Sequence, residues 1–214
     1  MTPRRSNKSY PDTASNWHLE SHTLVLASRS ARRRQLLEDA GYRFIVHPSS
    51  VDESSLTIDG LQAVDLARTL ALAKANDVAR SFPSHLVIGA DTVVESDGLV
   101  FGKPKDASDA ERMLNRLFAK PHRVITAIAI VRRNPSVQSV DADITTIYPR
   151  PLHRGLLSAY LASRQWEGKA GGYGIQEEGC EPFIERIDGS FTNVVGMPME
   201  LLARMLRDIG YQAK

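Results

Sequence analysis

The sequence predicts an α/β fold with a mixed, twisted sheet flanked by helices, and three observations predict it. Short apolar or β-branched runs alternate with longer stretches of helical periodicity. No internal repeat or low-complexity block interrupts them. A hydrophobic share of 42% over 214 residues is enough to bury one substantial core. Such alternation is the pattern of strands covered by helices.

The elements follow in order. Residues 24–27 form a short apolar strand, 28–30 a polar turn, and the pattern through Leu36 and Leu37 to Gly41 a helix. Residues 44–46 read as a second strand, and 61–81 as a long helix with Leu66, Leu70 and Val78 on one face. A buried-type strand is expected over 86–94, with Asp97-Gly98 as the hairpin turn into 99–101. A helix at 108–117, a β-branched strand at 124–131, a strand around 137–147 and a helix at 152–161 come next. A glycine-rich loop over 168–174 precedes a strand at 183–187, and a closing helix begins near Pro198. Residues 1–22 are polar and lack an apolar stretch of signal-peptide type, so a flexible extension is expected ahead of a single domain at 23–214.

Charge and cysteine content narrow the function. Lys and Arg total 27 against 25 for Asp and Glu, and a net charge of +2 gives little reason to expect a stable nucleic-acid or membrane partner. No run of about 18 apolar residues occurs, which argues against a membrane-spanning helix. Cys180 is the single cysteine, so an internal disulfide and a multi-thiolate zinc site are excluded and a cytoplasmic setting is expected. There is no G-x-S-x-G elbow and no H-E-x-x-H pair. His122 sits at a strand start, and none of the six histidines is assigned to a metal.

Chemistry-bearing residues stand out against this background. Ser28-Arg29-Ser30-Ala31-Arg32-Arg33-Arg34 falls where a strand hands over to a helix, so it is either a phosphate cradle or an N-cap followed by solvated arginines. Three consecutive arginines diverge by about 100° each, so at most two can serve one ligand. Asp91 lies inside an apolar strand, where a carboxylate needs a hydrogen bond, a cation or a metal. It shares a face with Gly89, which leaves room for a ligand or another backbone. Lys74 is in line with the buried stripe of its helix, so it must snorkel outward or reach a carboxylate or phosphate. Asp52-Glu53 is solvated or supplies oxygen ligands to magnesium. Gly102-Lys103-Pro104 returns from the hairpin towards the Asp91 end of the sheet, without the spacing of a Walker loop. Lys169-Ala170-Gly171-Gly172-Tyr173-Gly174-Ile175-Gln176 is a loop open to close backbone approach, and Gln176 carries a donor and an acceptor suited to a base edge.

The ordered set Leu-Ala-Ser-x-Ser-x-Arg-Arg, Asp-Glu, Gly-Ala-Asp-Thr, Gly-Lys-Pro, His-x-Val-x-Thr, Lys-Ala-Gly-x-Tyr-Gly-Ile-Gln and Asn-Val-Val-Gly-x-Pro resembles the Maf family from residue 24 to about residue 206. The resemblance implies a nucleoside triphosphate pyrophosphatase, similar in fold to the inosine triphosphatases, with two lobes around a central cleft. It makes Asp91 the proton acceptor and gives Arg32, Thr92 and Gln176 to substrate specificity. Ser28, Arg33, Glu53, Lys74, Lys103 and Lys169 fall on positions that similar proteins place around phosphates and metal. A magnesium or manganese ion on Glu53 and Asp91 is implied, and the loop at 169–176 resembles the branch acting on dTTP and UTP. A homodimer is compatible with it. Ala31, Gly168 and Phe118-Ala119 depart from the family's usual Pro, Asp and Ser-Gly. The rival expectations are a house-cleaning enzyme for methylated or other modified nucleotides and a nucleotide-sensing regulator of cell division that turns nothing over.

Overall fold

A computed structural model describes residues 23–53, 56, 59–176 and 183–212. The expectations for residues 1–22 and for Cys180 lie outside the described residues. One seven-stranded mixed sheet organises the rest, as the alternation predicts.

The chain runs β1 (Leu24–Leu26), α1 (Ala31–Asp39), β2 (Phe44–Val46), α2 (Ala63–Ala79), β3 (Val87–Ser96) and β4 (Leu99–Phe101). It continues through α3 (Ala107–Leu117), β5 (His122–Arg132), β6 (Val137–Pro149), α4 (Arg154–Ala162), a 3-10 turn at Ala170–Gly172, β7 (Ile184–Asp188), α5 (Phe191–Val195) and α6 (Met199–Asp208). The sheet order is β2-β1-β3-β5-β6-β7, with β4 paired to β3. β1 is parallel to β2 and β3, and the remaining pairs are antiparallel. Helical crossovers make the parallel pairs possible, and the turn at Asp97-Gly98 makes the antiparallel hairpin, with Asp97 at φ 52° and Gly98 at φ 75°.

Three apolar clusters pack on this sheet. The alanine face of α2, with Ala67, Ala71 and Ala75, covers Val87, Val93, Ile125, Ala127 and Ala129. The opposite face buries Leu24, Leu26, Ile88 and Ile128 under Leu37 of α1 and Leu201, Leu202 and Met205 of α6. Val94, Val124 and Ile147 continue into a third cluster with α3, α4 and the aromatic rings of Phe118, Tyr160 and Tyr173. The long strands β3 and β5 thus belong to both halves of the molecule, and the cleft lies between those halves.

Gly89 explains how close α2 comes. A Cβ on residue 89 would lie 2.3 Å from the Ala71 carbonyl oxygen and 2.7 Å from the Ala75 nitrogen. The room beside Asp91 is therefore filled by helix backbone rather than by ligand, and this approach brings Lys74 over the carboxylate.

The helix α5 has no counterpart in the sequence reading. Five residues rich in β-branched side chains carry no periodicity, and only its brackets mark it: Ser190 Oγ accepts from Asn193 N at 3.2 Å, and Gly196 closes it at φ 117°.

Candidate active site

Asp91 is a buried carboxylate, 9% exposed, that lines the cleft. Lys74 Nζ lies 2.6 Å from Asp91 Oδ1 and 2.8 Å from Glu53 Oε1. Of the two fates open to Lys74, the structure selects the carboxylate partners over snorkelling to solvent. Burial raises the Asp91 pKa, while the charges of Lys74 and then Arg33 oppose that rise. The result is a carboxylate of enhanced basicity at the floor of the cleft.

Glu53 reaches this point because its loop is tied to α2. Asp77 Oδ2 accepts from Ser50 N at 2.8 Å, Ser49 Oγ at 3.0 Å and Ser50 Oγ at 3.2 Å. Those bonds, the backbone one foremost, hold the Asp77 carboxyl below its ordinary pKa. Asp77 lies one helical turn beyond Lys74, so the helix that supplies the cation also anchors the loop that supplies the second acid.

Arg33 is committed to the protein. Its Nε donates to the Gly196 carbonyl at 2.8 Å, and Nη1 to the Ala90 carbonyl at 2.8 Å and to Ser28 Oγ at 3.3 Å. Nη2 donates to Thr92 Oγ1 at 3.1 Å. Four bonds from a group with five N–H donors leave little for a ligand. Arg33 grips both neighbours of Asp91 and joins them to the Ser28 turn and the end of α5. Burial lowers its pKa, and the facing Asp91 counters that.

The hydroxyl chain behind Arg33 has a definite direction. Thr126 Oγ1 donates to the Asn193 carbonyl at 2.9 Å, which uses its single hydrogen. The 2.9 Å contact between Thr92 and Thr126 is therefore donated by Thr92, which in turn accepts from Arg33. Asn193 is fully buried and donates to the Val124 carbonyl at 3.0 Å and to Thr145 Oγ1 at 2.8 Å.

The Maf-like protein family profile matches residues 23–209, over this entire constellation. The chain belongs to the Maf family. Among its relatives, the dTTP/UTP pyrophosphatase of Pyrococcus furiosus is 38% identical over 89% of this chain and 97% of its own. That of Citrifermentans bemidjiense is 40% identical over 90% and 98%, and that of Geotalea uraniireducens 42% over 87% and 95%. The solved structure of the Staphylococcus aureus Ham1 protein matches at a TM-score of 0.49 and 14% identity, covering 87% of this chain and 99% of that one.

Within this Maf chain the ten residues to which the resemblance gave a site role, Ser28, Arg32, Arg33, Glu53, Lys74, Asp91, Thr92, Lys103, Lys169 and Gln176, line one cleft of about 740 Å³, whereas Asp52 and Arg34 do not. They differ in what they have left to offer. Ser28 is buried and accepts from Ser30 N at 3.2 Å as well as from Arg33. Ser30 caps α1 by accepting from Arg33 N at 3.3 Å. Lys169 is 5% exposed and its Nζ donates to the Gln165 carbonyl. The Arg32, Lys103 and Gln176 side chains make no hydrogen bond or ion pair to another described residue, and the last two are exposed. Arg34 faces outward and pairs with Glu38 at 3.5 Å.

The donor set fits a hard divalent ion. Two carboxylates already converge on one cationic nitrogen, and all-oxygen ligation suits magnesium or manganese. Among the described residues no group of three or more His, Cys, Asp or Glu forms a metal cluster. Phosphate oxygens would have to complete the coordination. Ser49, Ser50, Asp77, Thr126 and Asn193 shape the site without having been singled out; Thr126 and Asn193 lay in quoted motifs, whereas Asp77 carried no local signal.

Proposed function

We infer that this chain hydrolyses nucleoside triphosphates at the α–β phosphate bond, releasing nucleoside monophosphate and pyrophosphate, with dTTP and UTP as its substrates. The observation that carries the reading is the Glu53–Lys74–Asp91 array at the floor of a cleft whose rim presents Arg32 and Lys103. The relatives called dTTP/UTP pyrophosphatases support the same substrates.

In this mechanism Asp91 takes the proton of a water that attacks the α-phosphorus. The bond to the bridging oxygen breaks, and pyrophosphate leaves with the electron pair. Basicity raised by burial suits Asp91 to that task. Glu53 and Asp91 would hold a magnesium or manganese ion, which when bound supplies Lewis-acid polarisation of the phosphoryl group. Arg32 and Lys103 meet the charge of the triphosphate, and Lys74 stands between acid and phosphate at the floor. Arg33 acts by holding Asp91 against the Ser28 turn. Gln176 meets the base.

No helix among the described residues is long and apolar enough to cross a membrane. The reading takes residues 23–214 as the catalytic unit of a cytoplasmic enzyme with access to the nucleotide pool. Its test is pyrophosphate release across standard and modified triphosphates, with magnesium, manganese or chelator. Release confined to dTTP and UTP is expected. Triphosphate binding without any pyrophosphate would reverse the reading in favour of a sensor.

A further inference from the structure

Outside the reacting groups, the structure contains a buried polar pair that the mechanism above does not use. His122 opens β5 and is 2% exposed. Its Nδ1 lies 2.9 Å from the Leu117 carbonyl oxygen and 3.4 Å from that of Lys120. Carbonyl oxygens only accept, so Nδ1 carries the ring hydrogen. Nε2 is then the acceptor, and the Tyr173 hydroxyl 2.7 Å away is the donor. Burial lowers the His122 pKa and raises that of the Tyr173 phenol, so both groups stay neutral near pH 7 and the bond keeps its direction. The Phe118 ring packs on both, with centroids 5.8 Å from His122 and 5.1 Å from Tyr173.

Tyr173 sits between Lys169 and Gln176, and its hydroxyl makes the segment's side-chain hydrogen bond to β5. Gly171 donates to the Gly102 carbonyl at 2.9 Å, which ties the segment to the turn bearing Lys103. Gly171 has φ +69°, and a Cβ there would lie 3.0 Å from Leu117 Cδ1 and from Val94 Cγ2. The backbone there is bent by glycine and pressed onto β3 and α3, while the part leading to Gln176 is held by the buried Tyr173 side chain and by Ile175 packed on the same cluster. An amide that reads a base edge discriminates only while its donor and acceptor keep their places.

We propose that the His122–Tyr173 hydrogen bond is a positioning device for base selection, holding the 169–176 loop so that Gln176 faces the nucleobase. It rests on the pyrophosphatase reading and makes His122 and Tyr173 positioning residues.

The test is Tyr173→Phe, which keeps the ring packed on Phe118 and removes only the donor. Steady-state kinetics on UTP, dTTP, CTP and GTP are paired with amide hydrogen exchange of residues 169–176. The expected result is a roughly tenfold rise in KM for dTTP and UTP with kcat within about twofold, a narrowed preference over CTP, and faster exchange in the loop. His122→Gln, whose amide oxygen can accept from Tyr173, retains part of the discrimination that His122→Leu loses. Unchanged KM, unchanged exchange, or a fall in kcat alone overturns the proposal. An unaltered chain that hydrolyses none of the four ends the pyrophosphatase reading instead, so the two failures are told apart.

Discussion

The floor and the rim of the cleft are built on opposite plans. At the floor, Arg33, Thr92, Asp91 and Lys74 are committed to one another or to backbone carbonyls from β3 and α5. At the rim, Arg32, Lys103 and Gln176 carry no such commitments among the described residues. Arg32 and Arg33 are adjacent in sequence and belong to different regions. The contrast teaches that charge near a cleft does not by itself identify a ligand-binding group; the count of donors left over does.

The sharpest break of the contrast is at Asp91. Asp91→Asn keeps the side chain's size and removes the base, so pyrophosphate release should fall by at least about a hundredfold with the circular dichroism spectrum preserved. Retained turnover removes Asp91 from its role.

Arg33→Met should destabilise the fold by about 3 kcal/mol in urea titration, because four acceptors in or near the core lose a charged donor. Arg32→Ala should leave stability within about 0.5 kcal/mol and raise KM for the triphosphate. Equal stability losses at the two positions would erase the distinction between floor and rim.

Gly89→Ala tests what lies under the floor. A methyl group 2.3 Å from the Ala71 carbonyl must push α2 outward, at a cost of roughly 1–3 kcal/mol, and must lengthen the reach of Lys74 to Asp91. Thermal unfolding and kcat should both decline.

The pH profile gives a smaller effect. Lys74 is the strongest charge opposing the upward pull of burial on Asp91. Lys74→Met should therefore move the acidic limb of kcat/KM to higher pH, since the protonated acid persists further up the scale. For stability the sign is the reverse of the usual carboxylate: a raised Asp91 contributes most below its unfolded pKa and loses that contribution as pH rises through the folded value. A limb that stays in place would remove Lys74 as the controlling charge.

Much of the floor was legible because its residues offend local rules. A carboxylate in an apolar strand and an ammonium on a buried helical stripe each demand a partner, and they proved to be each other's. The order of strands and helices was legible for a similar reason, since periodicity is local. The rotation of α1 was not, because three successive arginines are equivalent until packing of Leu37 against the sheet selects the one that points inward. Asp77 was silent because its three bonds come from serines 27 and 28 residues away. The paired strands 122–132 and 137–149 exceed the segments expected for them, as ladder hydrogen bonds extend a strand past its apolar run.

The sharing of β3 and β5 between the two halves has a mechanical consequence. Their ladder runs unbroken from Val87↔Val131 through Asp91↔Ala127 to Glu95↔Arg123. A hinge between the halves would have to bend the sheet directly beneath the carboxylate, tearing paired backbone bonds to do so. Any adjustment around a nucleotide would therefore fall to the peripheral segments, the serine loop on one bank and the tyrosine loop on the other, within the bonds that tie each of them down.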